Sequence, residues 1–377
     1  MRKILLTLLL LASTACAAKH TESAQAMADS ANTELDADIG EMLLVGFRGT
    51  SVDSTMHIWR DLTHFHVGAV ILFDYDAETG KRGRNICGRE QLTNLCRQLR
   101  DVRPDLLIGV DQEGGKVSRL SSRYGFATVA SAKASAADGE DSVRACATCT
   151  ASMLREVGIN LNFAPVADVD VNPRCPVIGA LGRSFDSDPQ RVAKMCQIWI
   201  NEQERQGVVA CMKHFPGHGS ASGDTHAGLV DVSATWQRKE LEPYRALCNE
   251  VPMVMTAHVV NRQIDPEGLP ASLSARITSL LRDSIGFRGV IVTDDLAMGA
   301  IVNHYSFERA VQMAVEAGAD MLCLSNNGSH YDTEQVPRAV RAIKEMVASG
   351  QISEERIHGS AERVRALKRT IMASAGR

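Results

Sequence analysis

A lysine, three histidines and an aspartate fall within the fourteen residues Lys213 to His226. The run is Lys213-His214-Phe215-Pro216-Gly217-His218-Gly219, then a four-residue spacer, then Asp224-Thr225-His226. Glycine and proline between the polar residues mark a loop, and a loop can aim groups that a core would exclude. Asp224 lies two residues before His226. A carboxylate accepting from one ring nitrogen fixes the tautomer and leaves the other nitrogen to give and take a proton near neutral pH. The plainer reading of such a pair is a surface hydrogen bond. Lys213 and His214 read as donors to ligand hydroxyls, with Lys213 alternatively an ion-pair partner of Asp111 or Asp294. His218, between two glycines, reads as holding the loop's shape.

A second segment carries complementary chemistry. The apolar run Gly289-Val290-Ile291-Val292 ends in Thr293-Asp294-Asp295. A carboxylate at the end of a buried strand is desolvated, which costs free energy unless the group is paired or reacting. Asp294 is therefore either an acceptor for loop amides or a nucleophile, able also to stabilise an oxocarbenium ion. Side chains alternate along a strand, so only one of Asp294 and Asp295 should face a substrate. Arg119, eight residues beyond Asp111, and Arg183, in the glycine-rich Gly179-Ala180-Leu181-Gly182-Arg183, are either solvated arginines or forks for hydroxyls and amide carbonyls.

These residues need a scaffold that gathers strand ends. From Asp36 onward, eight short apolar runs alternate with amphipathic stretches. The runs are Leu43–Phe47, Ala69–Phe73, Leu106–Asp111, Asn160–Val166, Val208–His214, Met253–Val259, Gly289–Asp294 and Asp320–Ser325. The helical stretches include Arg89–Val102, Gly139–Val157, Pro189–Gln206, Lys239–Asn249, Leu273–Ser284 and Phe307–Ala317, with a last helix over Pro337 to Met372. Continuous rather than alternating apolar runs indicate parallel strands covered on both faces. Eight βα units over about 340 residues predict a single catalytic domain, a (β/α)8 TIM barrel. A doubly wound open sheet is the competing fold, and no Gly-x-Gly-x-x-Gly opens a first helix to favour it. In a barrel, chemistry gathers at the C-terminal strand ends. Asp111-Gln112-Glu113, Asp168 and Asp170, Lys213 and His214, His258, and Asp294-Asp295 all fall there.

Composition is that of a globular protein, 45% hydrophobic and 23% charged over 377 residues. Net charge is −4, and the absence of a basic stripe argues against a nucleic-acid partner. Residues 1–17 read as an export signal, with Arg2-Lys3, the apolar run Ile4 to Ala12 and a small-residue zone. Ala15-Cys16-Ala17 fits signal cleavage; alternatively Cys16 is the lipidated residue of a bacterial lipoprotein, the chain's one expected membrane contact. Residues 18–35 read as a flexible tether and 36–377 as the barrel, an exported monomer that is periplasmic or lipid-anchored. Of the ten cysteines, Cys96, Cys196, Cys248 and Cys323 sit in apolar or amphipathic runs as small hydrophobes. Cys146 and Cys149 have redox-motif spacing but lie mid-helix.

The motifs as a set resemble glycoside hydrolase family 3 β-N-acetylhexosaminidases, in the single-barrel branch that removes terminal N-acetylglucosamine. The resemblance rests on Gly109 to Arg119, Val177 to Phe185, Lys213 to Gly219, Asp224-Thr225-His226 and Thr293 to Met298, in family order. It implies Asp294 as nucleophile, His226 with Asp224 as acid/base dyad, and Asp111, Arg119, Arg183, Lys213 and His214 as sugar-binding residues. It implies a retaining mechanism with no metal or other cofactor, on peptidoglycan fragments or other glycans ending in β-GlcNAc. Two positions depart from the family pattern: Lys116 stands where Arg is commoner, and Ser220-Ala221-Ser222-Gly223 replaces a more polar spacer. Two other enzyme readings remain. A phosphorylase on the same fold would use phosphate in place of water. A metal-dependent hydrolase would draw ligands from His214, His218, His226, His258 and Asp294. A third reading is a glycan-binding barrel without turnover.

Overall fold

The computed structural model describes residues 34–375, with side chains to residue 371. The predicted signal, Cys16 and residues 18–33 of the predicted tether lie outside the described residues; residues 34 and 35 already belong to a helix over 34–41.

All eight predicted strands form. They are β1 (Leu43–Gly46), β2 (Ala69–Ile71), β3 (Leu107–Val110), β4 (Leu161–Asn162), β5 (Val209–Phe215), β6 (Met253–Thr256), β7 (Val290–Thr293) and β8 (Leu322–Leu324). Each pairs in parallel with its sequence neighbour, β8 returns to pair with β1, and a parallel bridge between Val292 and Met321 joins β7 to β8. The sheet therefore closes into a (β/α)8 barrel, and helices cover its outer face.

Two-residue periodicity sorts each strand. Leu44, Ala69, Ile71, Leu107, Leu161, Val209, Cys211, Met253, Met255, Val290, Val292, Met321 and Cys323 form one inner cluster, while Leu43, Val45, Val70, Ile108, Val254 and Ile291 join the outer core under the helices. Val364 and Leu367 of the C-terminal helix Glu354–Ala375 also belong to the inner cluster and plug the barrel's lower end. Lys368 on the same helix is buried there against Glu41, with Asp105 at 3.3 Å.

The predicted helices Arg89–Val102 and Phe307–Ala317 form with those bounds, and Glu140–Val157 and Pro189–Arg205 differ by one residue at one end. Three others are corrected. The last predicted helix is two, Gln335–Ala348 and Glu354–Ala375, because Gly350 turns the chain at φ +73° and Ser353 restarts it by accepting from the Arg356 N–H. Lys239–Asn249 begins as a 3-10 turn, Arg238–Leu241, before the helix Glu242–Leu247. Leu273–Ser284 resolves into a short helix, Ala275–Ser279, capped by Ser274 and followed by a π turn over Leu280–Ser284. The nine cysteines among the described residues are all free, Cys146 and Cys149 included. No helix among the described residues is long and apolar enough to cross a membrane.

Candidate active site

A cavity of about 430 Å³ opens at the C-terminal end of the barrel. It is lined by all eight residues singled out above: Asp111, Arg119, Arg183, Lys213, His214, Asp224, His226 and Asp294. Strand parity puts three of them there. Asp111, Lys213 and Asp294 each stand two residues beyond an inward-facing position (Gly109, Cys211 and Val292), so they cap the barrel's apolar interior.

The floor is a chain of buried ion pairs. Lys213 Nζ donates to Asp111 Oδ1 at 2.6 Å and lies 2.7 Å from Glu113 Oε1. Glu113 also accepts both arms of the Arg183 fork at 2.8 Å. Arg183 Nη1 donates to the Val177 carbonyl, and Nη2 faces His214 Nε2 at 3.3 Å. On the far side of that ring, Nδ1 donates to Asp168 Oδ2 at 2.7 Å. Burial opposes ionisation of Glu113, but Arg183 and Lys213 hold its carboxyl far below the usual range. Burial likewise disfavours the Lys213 cation, and Asp111 and Glu113 more than compensate, raising its pKa. Lys213 thus takes the ion-pair role with Asp111, not with Asp294, while it lines the cavity. Arg183 commits most of its donors to Glu113 and Val177. Arg119, 3.8 Å from Asp111 Oδ2, keeps more of its guanidinium for a ligand.

Glu113 and Asp168 were not assigned roles from sequence. Glu113 shares the parity of Asp111, which was the available signal. Asp168 lies six residues past the end of β4, where strand alternation no longer places side chains. Glu113→Gln should leave Lys213 and Arg183 without a shared anion. Breaking a buried network costs about 3–5 kcal/mol, a fall of roughly 4–7 °C in thermal midpoint for a barrel of this size. Scanning calorimetry checks this, and an unchanged midpoint would mean the pairs carry no net stability.

The loop after β5 is pinned by close backbone packing. Gly217 has φ +123°, and a Cβ on Gly219 would lie 1.8 Å from the Val169 carbonyl oxygen, so neither position takes a side chain without strain. Trp236 Nε1 donates to the Pro216 carbonyl, and the His218 N–H donates to Asp168 Oδ1 at 2.7 Å. His218 is buried, which lowers its pKa to about 4, and its Nε2 sits 3.3 Å from the Thr225 hydroxyl. It ties the loop's two halves together, as its position between glycines suggested.

Beyond Thr225 the loop reaches the rim. Asp224 Oδ1 accepts from both the backbone N–H and Nδ1 of His226, each at 2.8 Å. Burial would raise the Asp224 carboxyl, but these two donors lower it. The His226 side chain is 68% exposed and that of Asp224 42%. The segment after β7 holds this dyad from below: Gly299 N–H donates to the His226 carbonyl and Ala300 N–H to that of Thr225. A Cβ on Gly299 would come within 2.5 Å of the His226 oxygen.

Asp294 differs from the other carboxylates of the cavity. Asp111, Glu113 and Asp74 are in ion pairs, Asp224 holds His226, and Asp295 accepts from the Ser325 hydroxyl and the Ala297 N–H. Asp294 accepts one hydrogen bond, from the Asp295 N–H at 2.8 Å, and pairs with no cation among the described residues. Burial by itself would raise its pKa; the imidazoles of His258 and His214 and the Asp295 N–H outweigh burial and bring it to about 2. His258 is fixed beneath, with Nε2–H donating to the Asp295 carbonyl at 2.8 Å and Nδ1 facing the Ser272 hydroxyl. A carboxylate that is ionised, oriented and otherwise unengaged at a cavity floor is equipped to attack or stabilise a cationic carbon. Among the described residues no three His, Cys, Asp or Glu side chains converge as a metal site. The five candidate ligands instead serve separate partners.

Comparison with known proteins agrees with this geometry. The model of the glycosyl hydrolase family 3 N-terminal domain matches residues 34–367. A β-hexosaminidase of Pseudomonas aeruginosa is 37% identical over 273 residues, 71% of this chain and 77% of its own. A glycoside hydrolase family 3 β-N-acetylglucosaminidase from Paenibacillus sp. superposes with TM-score 0.80 at 36% identity; the match covers 89% of this chain but only 62% of that longer one. A β-N-acetylhexosaminidase from Beutenbergia cavernae gives TM-score 0.78 at 29% identity, covering 89% of this chain and 98% of that chain. The match spans the barrel from the helix that precedes β1 to the helix that plugs its base, and the chain belongs to glycosyl hydrolase family 3.

Proposed function

We propose that the protein is an exo-acting, retaining β-N-acetylglucosaminidase that removes terminal β-GlcNAc from peptidoglycan fragments or other glycans. The observation that carries this reading is the unpaired, ionised Asp294 in the same cavity as the His226–Asp224 dyad. His226, oriented by Asp224, gives a proton to the leaving oxygen as Asp294 attacks the anomeric carbon. A glycosyl ester on Asp294 and the free alcohol result. The imidazole, now neutral, takes a proton from water as water attacks the same carbon, and Asp294 leaves as carboxylate. Asp111, Lys213, His214 and Arg119 present acceptors and donors to the sugar hydroxyls, and Arg183 acts mainly by holding Glu113 and His214 in place. The signal-like residues 1–17 support an exported enzyme, periplasmic or lipid-anchored through Cys16, which meets extracytoplasmic glycans.

The test is turnover of nitrophenyl β-GlcNAc against nitrophenyl β-glucoside, with the first-formed sugar observed by proton NMR. GlcNAc released first as the β-anomer, with little glucoside turnover, is expected. An α-anomer would refute the covalent route, and a preference for glucoside would refute the substrate. Run in phosphate buffer, the same assay separates hydrolysis from phosphorolysis, because a sugar 1-phosphate would appear in place of free GlcNAc.

A further inference from the structure

Only three large hydrophobic side chains are exposed among the described residues: Tyr75, Leu229 and Val302. All three lie on the catalytic face. Tyr75 follows β2, Leu229 lies three residues past His226, and Val302 ends the short helix Gly299–Val302 that holds the His226 loop. Of the three, Tyr75 lines the cavity itself, and it is 43% exposed.

Tyr75 is held by an unusually large amount of structure for a loop. It sits on a hairpin in which Tyr75–Asp76 pairs antiparallel with Lys81–Arg82. Asp76 is buried and accepts both arms of the Arg48 guanidinium at 2.7 and 2.9 Å, Arg84 at 2.6 Å, and the Thr79 N–H and hydroxyl. The Arg48 and Arg84 guanidiniums both lie over the Tyr331 ring, at 4.3 and 5.3 Å from its centroid. Asn327 closes the cage, donating to the Tyr75 carbonyl at 3.1 Å and accepting from the Ala77 N–H at 2.9 Å. None of these groups contacts Asp294 or the dyad. The network fixes the backbone of Tyr75, whose aromatic ring is left partly uncovered.

We propose that Tyr75 is the stacking platform for the first sugar ring of the leaving group, and so a determinant of which aglycone the enzyme accepts. A pyranose presents an apolar C–H face, and a rigid aromatic side chain covers such a face at small entropic cost. The polar groups of the cavity floor suit the hydroxyls of the sugar being transferred, whereas the hairpin rim offers apolar surface. This rests on the glycosidase reading above.

The experiment compares wild type, Tyr75→Ala and Tyr75→Phe on N,N′-diacetylchitobiose, together with inhibition by free GlcNAc, which reports the sugar-transfer site alone. Tyr75→Ala should lower kcat/KM on the disaccharide about tenfold, on the scale of one lost stacking contact. Tyr75→Phe should stay within about twofold of wild type, and the GlcNAc inhibition constant should not move. Unchanged kcat/KM in Tyr75→Ala, equal damage in Tyr75→Phe, or a parallel loss of GlcNAc inhibition would each overturn the platform. Failure of the underlying reading shows separately, as no wild-type turnover of any β-GlcNAc substrate, and the platform falls with it.

Discussion

Asp294→Ala is expected to lower turnover of β-GlcNAc glycosides by roughly four orders of magnitude or more, the scale seen when a covalent nucleophile is removed. The fold should survive, because among the described residues Asp294 accepts only the neighbouring Asp295 N–H and pairs with no cation that its removal would orphan. Loss of rate with an unchanged thermal midpoint therefore separates a chemical role from a structural one. A stronger version adds azide to the variant. Azide entering the space left by the carboxylate would attack the anomeric carbon from the face Asp294 occupied, expelling the leaving group and giving the α-glycosyl azide. The β-azide, or residual activity near wild type, would remove Asp294 from the covalent step. The acid side of the pH profile gives independent evidence. With its pKa lowered to about 2, Asp294 contributes as carboxylate above that value and loses this only as pH falls through it. A fall in kcat/KM between pH 4 and 6 must then come from another group.

The choice between Asp294 and Asp295 shows how much of the site can be read from the sequence. Counting by twos from the inward Val290 and Val292 reaches Asp294; Asp295, expected to face away, also lines the cavity, but its oxygens are taken by the Ser325 hydroxyl and N–H and the Ala297 N–H. The same count through Val209 and Cys211 reaches Lys213, and through Leu107 and Gly109 reaches Asp111 and then Glu113. Eight parallel strands with outer faces as apolar as their inner ones were legible because a barrel buries both. What the sequence withheld were pairings set by barrel closure. Lys213 is roughly equally entitled, by charge and position, to Asp111 or Asp294. It takes Asp111 and Glu113, both from β3 and its extension, and this leaves Asp294 free. Arg48 and Asp76 lie on different strand-to-helix loops, and nothing in their spacing announces the cage around Tyr75. The break in the last helix was visible at Gly350, but the amphipathic pattern on both sides runs through it.

His226→Ala should separate substrates by their leaving groups. Breaking a glycosidic bond to a sugar alcohol expels a strongly basic oxygen, so the loss of general acid help should cost about 10²–10⁴-fold on N,N′-diacetylchitobiose. A dinitrophenolate departs without a proton, so the first step on that glycoside should be little changed, and a burst of phenol should precede slow turnover. The burst follows because the second step still needs a base to activate water, and azide, which needs none, should restore turnover and yield the β-azide by a second attack at the same carbon. Asp224→Asn keeps a side-chain oxygen for the His226 N–H donors but removes the negative charge, so its loss should be smaller and follow the same order of leaving groups. The dyad is well placed for such a role because its backbone rests on Gly299 and Ala300 while its ring stays 68% exposed at the cavity rim. An equal loss on both substrates, without burst or rescue, would make His226 a binding residue outside the proton path. The acid would then have to be sought among the other groups that line the cavity.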